Sequence, residues 1–101
     1  MFGMQSKKPL EKNLAIITAV GRDRTGLVAG ISKTLSDNKI NIEDLSQTIM
    51  QDMFAMILLV DTSKSPLAFE QLREKLRGEG RKIGLDVSIQ HKKIFEYMHR
   101  I

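Results

Sequence analysis

After a polar leader, Met1 to Lys12, apolar and polar positions alternate between two periods that mark strands and helices. Asn13 to Val20 is a β-branched, apolar run and reads as a first strand. Leu27, Val28, Ile31 and Leu35 recur at helical spacing, which predicts a helix over Gly26 to Asn38, with Asn38 adopting the left-handed cap conformation. A second strand begins at Ile40 and continues to about Gln51, and Gln51-Asp52 forms the hairpin tip before a third strand, Met53 to Asp61. Thr62 to Ser65 is a loop. Ser65 as N-cap and Pro66 as first helical residue then open a second helix with Phe69, Leu72 and Leu76 on one face, which Gly78 and Gly80 weaken or end. A short strand, Leu85 to Gln90, sets Val87 and Ile89 against Asp86, Ser88 and Gln90. The order βαββαβ predicts an α+β, ferredoxin-like sandwich.

In that architecture both helices cover one face of an antiparallel sheet, so strands should be apolar inward and polar outward. The third strand breaks the rule: Phe54, Met56, Leu58 and Val60 make one apolar face, and Met53, Ala55, Ile57 and Leu59 make another. A lone unit would leave an apolar patch in water. The tail, Ile94 to Ile101, carries Ile94, Met98 and Ile101 at helical spacing and can dock there as a short C-terminal helix, or a second subunit can. A homodimer with the tail contributing is the expectation.

Composition narrows the class. With 101 residues, 42% of them hydrophobic, one domain over residues 13–101 is expected behind the leader. The absence of cysteine removes disulfides, thiol nucleophiles and thiolate metal sites. The leader lacks the apolar centre of a signal peptide, and the longest apolar run, Met53 to Val60, is too short to span a bilayer. A soluble, cytoplasmic protein follows as an expectation. The formal charge of +4 is dispersed over Lys7, Lys8 and Lys12, over Arg73 to Lys82, and over Lys92, Lys93 and Arg100. Solvated faces explain that dispersion better than a nucleic-acid surface does, because Phe54 is the one aromatic within an expected strand.

The chemistry concentrates in the turn between the first strand and the first helix, Gly21-Arg22-Asp23-Arg24-Thr25-Gly26. Thr25, or alternatively Asp23, suits the N-cap, and Gly26 leaves no side chain over the first unpaired N–H groups of the helix. Small carboxylates suit such a place. Nothing here pairs a nucleophile with a base, and His91 and His99, eight residues apart across a turn, lack a recognisable metal-ligand spacing. No cofactor is called for. An acylphosphatase-like enzyme on the same fold would need a phosphate cradle; Arg22, Arg24 and Asn41 supply the residue types without its glycines or spacing.

The element order and this turn together resemble the ACT domain, a small amino-acid-sensing module. The ACT pattern of Asp or Asn, a variable residue, Pro and Gly is matched by Asp23-Arg24-Thr25-Gly26, with Thr25 in place of Pro. Asn41-Ile42 at the start of strand two, then Asp44-Leu45-Ser46-Gln47-Thr48, Ile89-Gln90-His91 and the tail, resemble small stand-alone ACT proteins; Lys39 stands where that group usually turns on Gly. The resemblance implies a non-enzymatic regulatory homodimer that binds an amino acid or related metabolite between subunits and signals to a regulated protein. It implies Asp23 and Asn41 as side-chain ligands, with Arg24, Thr25, Gly26 and Leu27 forming the turn whose backbone N–H groups around Thr25, Gly26 and Leu27 meet the carboxylate. Helix capping for Asp23 and turn chemistry for Asn41 are the alternatives, and a dimerisation module without a ligand is the alternative for the whole.

Overall fold

The computed structural model describes residues 12–98. Strand β1 (Leu14–Arg22) leads through helix α1 (Leu27–Asp37) to the hairpin of β2 (Asn41–Met50) and β3 (Met53–Asp61). Helix α2 (Phe69–Lys82), strand β4 (Leu85–His91) and helix α3 (Lys92–Met98) follow. The sheet order is β2-β3-β1-β4, with every neighbouring pair antiparallel, which is the βαββαβ sandwich with a short C-terminal helix. No helix among the described residues is long and apolar enough to cross a membrane.

Period-two alternation builds the core. Ala15, Ile17 and Ala19 of β1, Phe54, Met56, Leu58 and Val60 of β3, and Leu85, Val87 and Ile89 of β4 all point to one buried side. They meet Leu27, Ile31 and Leu35 of α1 and Leu72 and Leu76 of α2 in one cluster. Phe54 is therefore a core residue and not a stacking platform. Helix α2 lies close to β4 because Gly80 has no side chain: a methyl there would collide with the Val87 side chain and sit 3.0 Å from the Leu85 carbonyl oxygen.

The opposite face of the sheet is apolar along β3 and polar at its flanks, where Asp44, Ser46 and Thr48 of β2 and Asp86, Ser88 and Gln90 of β4 share it. Register aligns Ile16 with Leu59, Thr18 with Ile57 and Val20 with Ala55 across its centre. Met53 and Ile57 are 48% and 47% exposed. Helix α3 does not close this patch. It packs on β1 and β4, where the Gln90 amide Nε2 donates to the Met98 sulfur at 3.8 Å, and its own Ile94, Tyr97 and Met98 stay exposed. The last residues of the expected tail, 99–101, lie outside the described residues, as does His99.

Local signals account for the boundaries that differ from expectation. β1 runs two residues past Val20, since Gly21 and Arg22 still pair with Phe54 and Met53. Neither Asp23 nor Thr25 caps α1: Gly26 is the N-cap, at φ 90°, and no side chain bonds to the first turn. At the other end Asn38 sits at φ −105°, and Lys39 takes the left-handed conformation at φ 59°. The Asn38 amide instead donates to the Thr34 carbonyl at 2.7 Å, while Ile40 N–H closes on the Leu35 carbonyl at 2.9 Å. Helix α2 starts at Phe69 and not at Pro66, because the Ser65 hydroxyl accepts from Leu67 N–H in a local turn and the Gln71 side chain takes Ala68 N–H. It passes through Gly78 and Gly80 and ends at Lys82. The Gln51-Asp52 tip stands as expected, with Met50 paired to Met53 and Gln51 at φ 57°.

Candidate functional site

Residues 23–26 leave the sheet at the end where β1 finishes and the β2–β3 hairpin turns. Asp23 N–H donates to the Asp52 carbonyl at 2.8 Å, and Arg22 pairs with the Asp52 carboxylate at 3.4 Å, so the turn is fastened to the hairpin tip. The Asp23 carboxylate and the Arg24 guanidinium have no polar partner among the described residues, and both are exposed. Arg24 runs across the chain at Gly84, its guanidinium carbon 4.0 Å from where a side chain would begin. Leu27 is buried, so it offers a ligand its backbone N–H and nothing else. With no acidic residue in its first turn and no side-chain cap, α1 presents unpaired N–H groups and the positive end of its dipole beside a free carboxylate. Those are opposite-sign partners for a zwitterion.

Asn41 lies elsewhere. It pairs with Asp61, whereas Arg22 pairs with Met53 at the other end of β3. Eight residue steps separate the two levels, roughly 27 Å at the rise of an antiparallel strand. Within one chain the five turn residues Asp23 to Leu27 are together and Asn41 is remote from them.

Around Asn41 is a groove of about 900 Å³ between the C-terminal half of α1, the start of β2 and the loop after β3. Lys12, Ser32, Ser36, Lys39, Asp61 and Lys64 line it together with Ile40 to Glu43. Lys12 Nζ meets Glu43 Oε1 at 2.8 Å and Asn41 Nδ2 donates to Glu43 Oε2 at 2.9 Å. Those hydrogen bonds, Lys12 first, hold the Glu43 carboxyl below the usual carboxylate range, and Glu43 raises Lys12 in return. Desolvation pushes Asp61 up, but N–H groups of Ser63 and Asn13, with the Lys12 charge, outweigh it and leave Asp61 lowered. The sequence reading found Asn41 and missed its surroundings, since Lys12, Lys39 and Lys64 are far apart along the chain. The one local signal was Ser32 and Ser36, one turn apart on the same face of α1.

His91, a conceivable metal ligand by residue type, stacks on Phe69 with ring centroids 3.9 Å apart. Arg73 lies 5.0 Å from the same ring and donates to the Ile89 carbonyl at 3.2 Å. That histidine has a packing role at the end of β4.

Known proteins share the fold. The family model of the ACT domain matches residues 13–90. A UPF0237 protein of Methanocaldococcus jannaschii is 51% identical over 86 residues, covering 85% of this chain and 96% of its own. The solved ACT domain protein from Streptococcus pneumoniae superposes with a TM-score of 0.75 at 36% identity, covering 85% of this chain and 97% of that one. A putative glycine cleavage system transcriptional repressor shares the fold at a TM-score of 0.70 and 22% identity, covering 80% of this chain and 46% of that one. Sheet order and relatives agree, and the chain belongs to the ACT domain family, whose members are typically regulatory modules that bind small molecules.

Proposed function

We propose that this chain is a non-enzymatic regulatory module that binds an amino acid or related small metabolite between the subunits of a homodimer and relays the bound state to a regulated protein. The observation that carries the reading is the uncapped N-terminus of α1 beside an Asp23 carboxylate that has no polar partner among the described residues. The helix N–H groups suit an α-carboxylate and Asp23 suits the ammonium. Asn41, at the other end of the sheet, joins only from a second copy. β2 is an edge strand, and antiparallel pairing with a two-fold copy would bring the partner's Asn41 to the end where this chain's turn lies.

The test is complementation. Thermal-shift screening of the twenty amino acids should yield a hit worth about 2.7 kcal/mol at a hundred times its dissociation constant. Asp23→Ala and Asn41→Ala should each abolish it. Mixing the two variants after subunit exchange should restore about one quarter of the sites, because each heterodimer holds one intact turn facing one intact Asn41. Silence across the panel favours a dimerisation module; a hit lost in the variants without recovery on mixing rejects the shared site.

A further inference from the structure

The groove around Asn41 holds more positive charge than its own carboxylates consume. Lys12 is committed to Glu43, and Asp61 accepts Asn13 N–H at 3.1 Å and Ser63 N–H at 3.0 Å. Lys39 and Lys64 have no carboxylate within ion-pair distance among the described residues, and the hydroxyls of Ser32 and Ser36 are equally unspent. Two ammonium groups and two hydroxyls therefore line one groove of about 900 Å³ with no partner of their own among the described residues.

The backbone at Lys39 supplies an independent observation. Its φ of 59° is the left-handed region, which a side chain disfavours and glycine adopts freely. The conformation is imposed by the return from α1 to β2, through Lys39 N–H to the Ser36 carbonyl at 3.0 Å and Ile40 N–H to Leu35. Glycine would make this turn at no steric cost. Lys39 therefore stands where glycine would serve the turn, and its ammonium has no ion-pair partner among the described residues.

We infer that Lys39 and Lys64, with the Ser32 and Ser36 hydroxyls, form an anion subsite, and that the ligand is a small metabolite carrying a carboxylate or phosphate ester in addition to any α-carboxylate. Ammonium and hydroxyl donors are the groups that such oxyanions accept from. The inference deepens the amino-acid reading, on which its choice of metabolite rests, while the subsite itself lies within one chain and is testable without it.

Inorganic phosphate, which has no ammonium, probes the subsite alone. Titrated into the ¹⁵N-labelled full chain, it should shift the amides of Ser32, Ser36, Lys39 and Asn41. Lys39→Gly and Lys64→Ala should each weaken it about tenfold, whereas Lys33→Ala, whose lysine already pairs with Asp37 at 2.8 Å, should not. Lys39→Gly should also raise the melting temperature, so its loss of binding cannot come from unfolding. Calorimetry with L-aspartate and O-phospho-L-serine against L-serine assigns the source: the preferred anion should bind about tenfold tighter than L-serine, and Lys39→Gly with Lys64→Ala should erase that preference. Phosphate binding untouched by both substitutions, or weakened equally by Lys33→Ala, overturns the subsite. If phosphate titrates the subsite as described while Asp23→Ala and Asn41→Ala change no amino-acid binding, the subsite stands and the amino-acid reading falls.

Discussion

Two glycines two residues apart in α2 should respond to the same substitution with opposite signs. Gly78 faces open space, with nothing within 4 Å of an added Cβ, so Gly78→Ala should gain the helix-propensity difference of about 1 kcal/mol. Gly80 is buried against β4, where the new methyl would strike the Val87 side chain and lie 3.0 Å from the Leu85 carbonyl. Gly80→Ala gains the same propensity term but must push α2 off the sheet or drive Val87 from its rotamer, and overpacking of this kind costs about 1–3 kcal/mol. The net is a loss of up to roughly 2 kcal/mol, about 1–3 kcal/mol below Gly78→Ala. In a domain of this size about 1 kcal/mol moves the melting temperature by roughly 4–8 °C, so the two variants should bracket the parent visibly in thermal and urea unfolding. A Gly80→Ala protein as stable as Gly78→Ala would refute the close approach of α2 to β4.

Leu58→Ala, at a fully buried position in the central strand β3, should cost about 2–5 kcal/mol by chemical denaturation. Ile57→Asp, one residue away on the half-exposed outer face, should leave the fold intact; under edge pairing through β2 it should also leave the dimer intact in light scattering, and dissociation would move the interface to that face. Glu43 and Asp61 both ionise below their ordinary values in the folded chain, so their contribution is present above the unfolded carboxylate range and is lost as pH falls through the lower folded values. The effect is small because both are solvent-screened, and Glu43→Gln with Asp61→Asn should flatten the acid limb of a melting-temperature profile.

What was legible in the sequence was whatever a short window determines. β3 stands out because nine consecutive residues are apolar or end in Asp61, and the hairpin tip because Gln51-Asp52 is the polar break between two strand patterns. Cap positions were misread where propensity and chain geometry disagree. Asn38 is the better left-handed residue by type, but the chain must turn one residue later for Ile40 N–H to reach Leu35, so Lys39 bears the strain. Ser65-Pro66 has the composition of a helix start, yet the Ser65 hydroxyl spends itself on Leu67. The turn at Asp23 was visible for what it is, a local motif. The groove was not, because Lys12, Lys39 and Lys64 share a wall only after β1, β2 and β3 align.

β2 has one irregularity, between Ile42 and Asp44, where Glu43 is the extra residue against β3. It sets Ile42 and Leu45, three apart, on the same core side. The bulge also acts outward. A strand arriving at this edge meets an unbroken ladder only from Asp44 to Met50, and a two-fold antiparallel copy centred on that stretch crosses its mate at Gln47. Under the proposed pairing through β2 the bulge would work as a registration stop, ending the seam before Asn41 and leaving that residue, with the groove behind it, clear of the ladder.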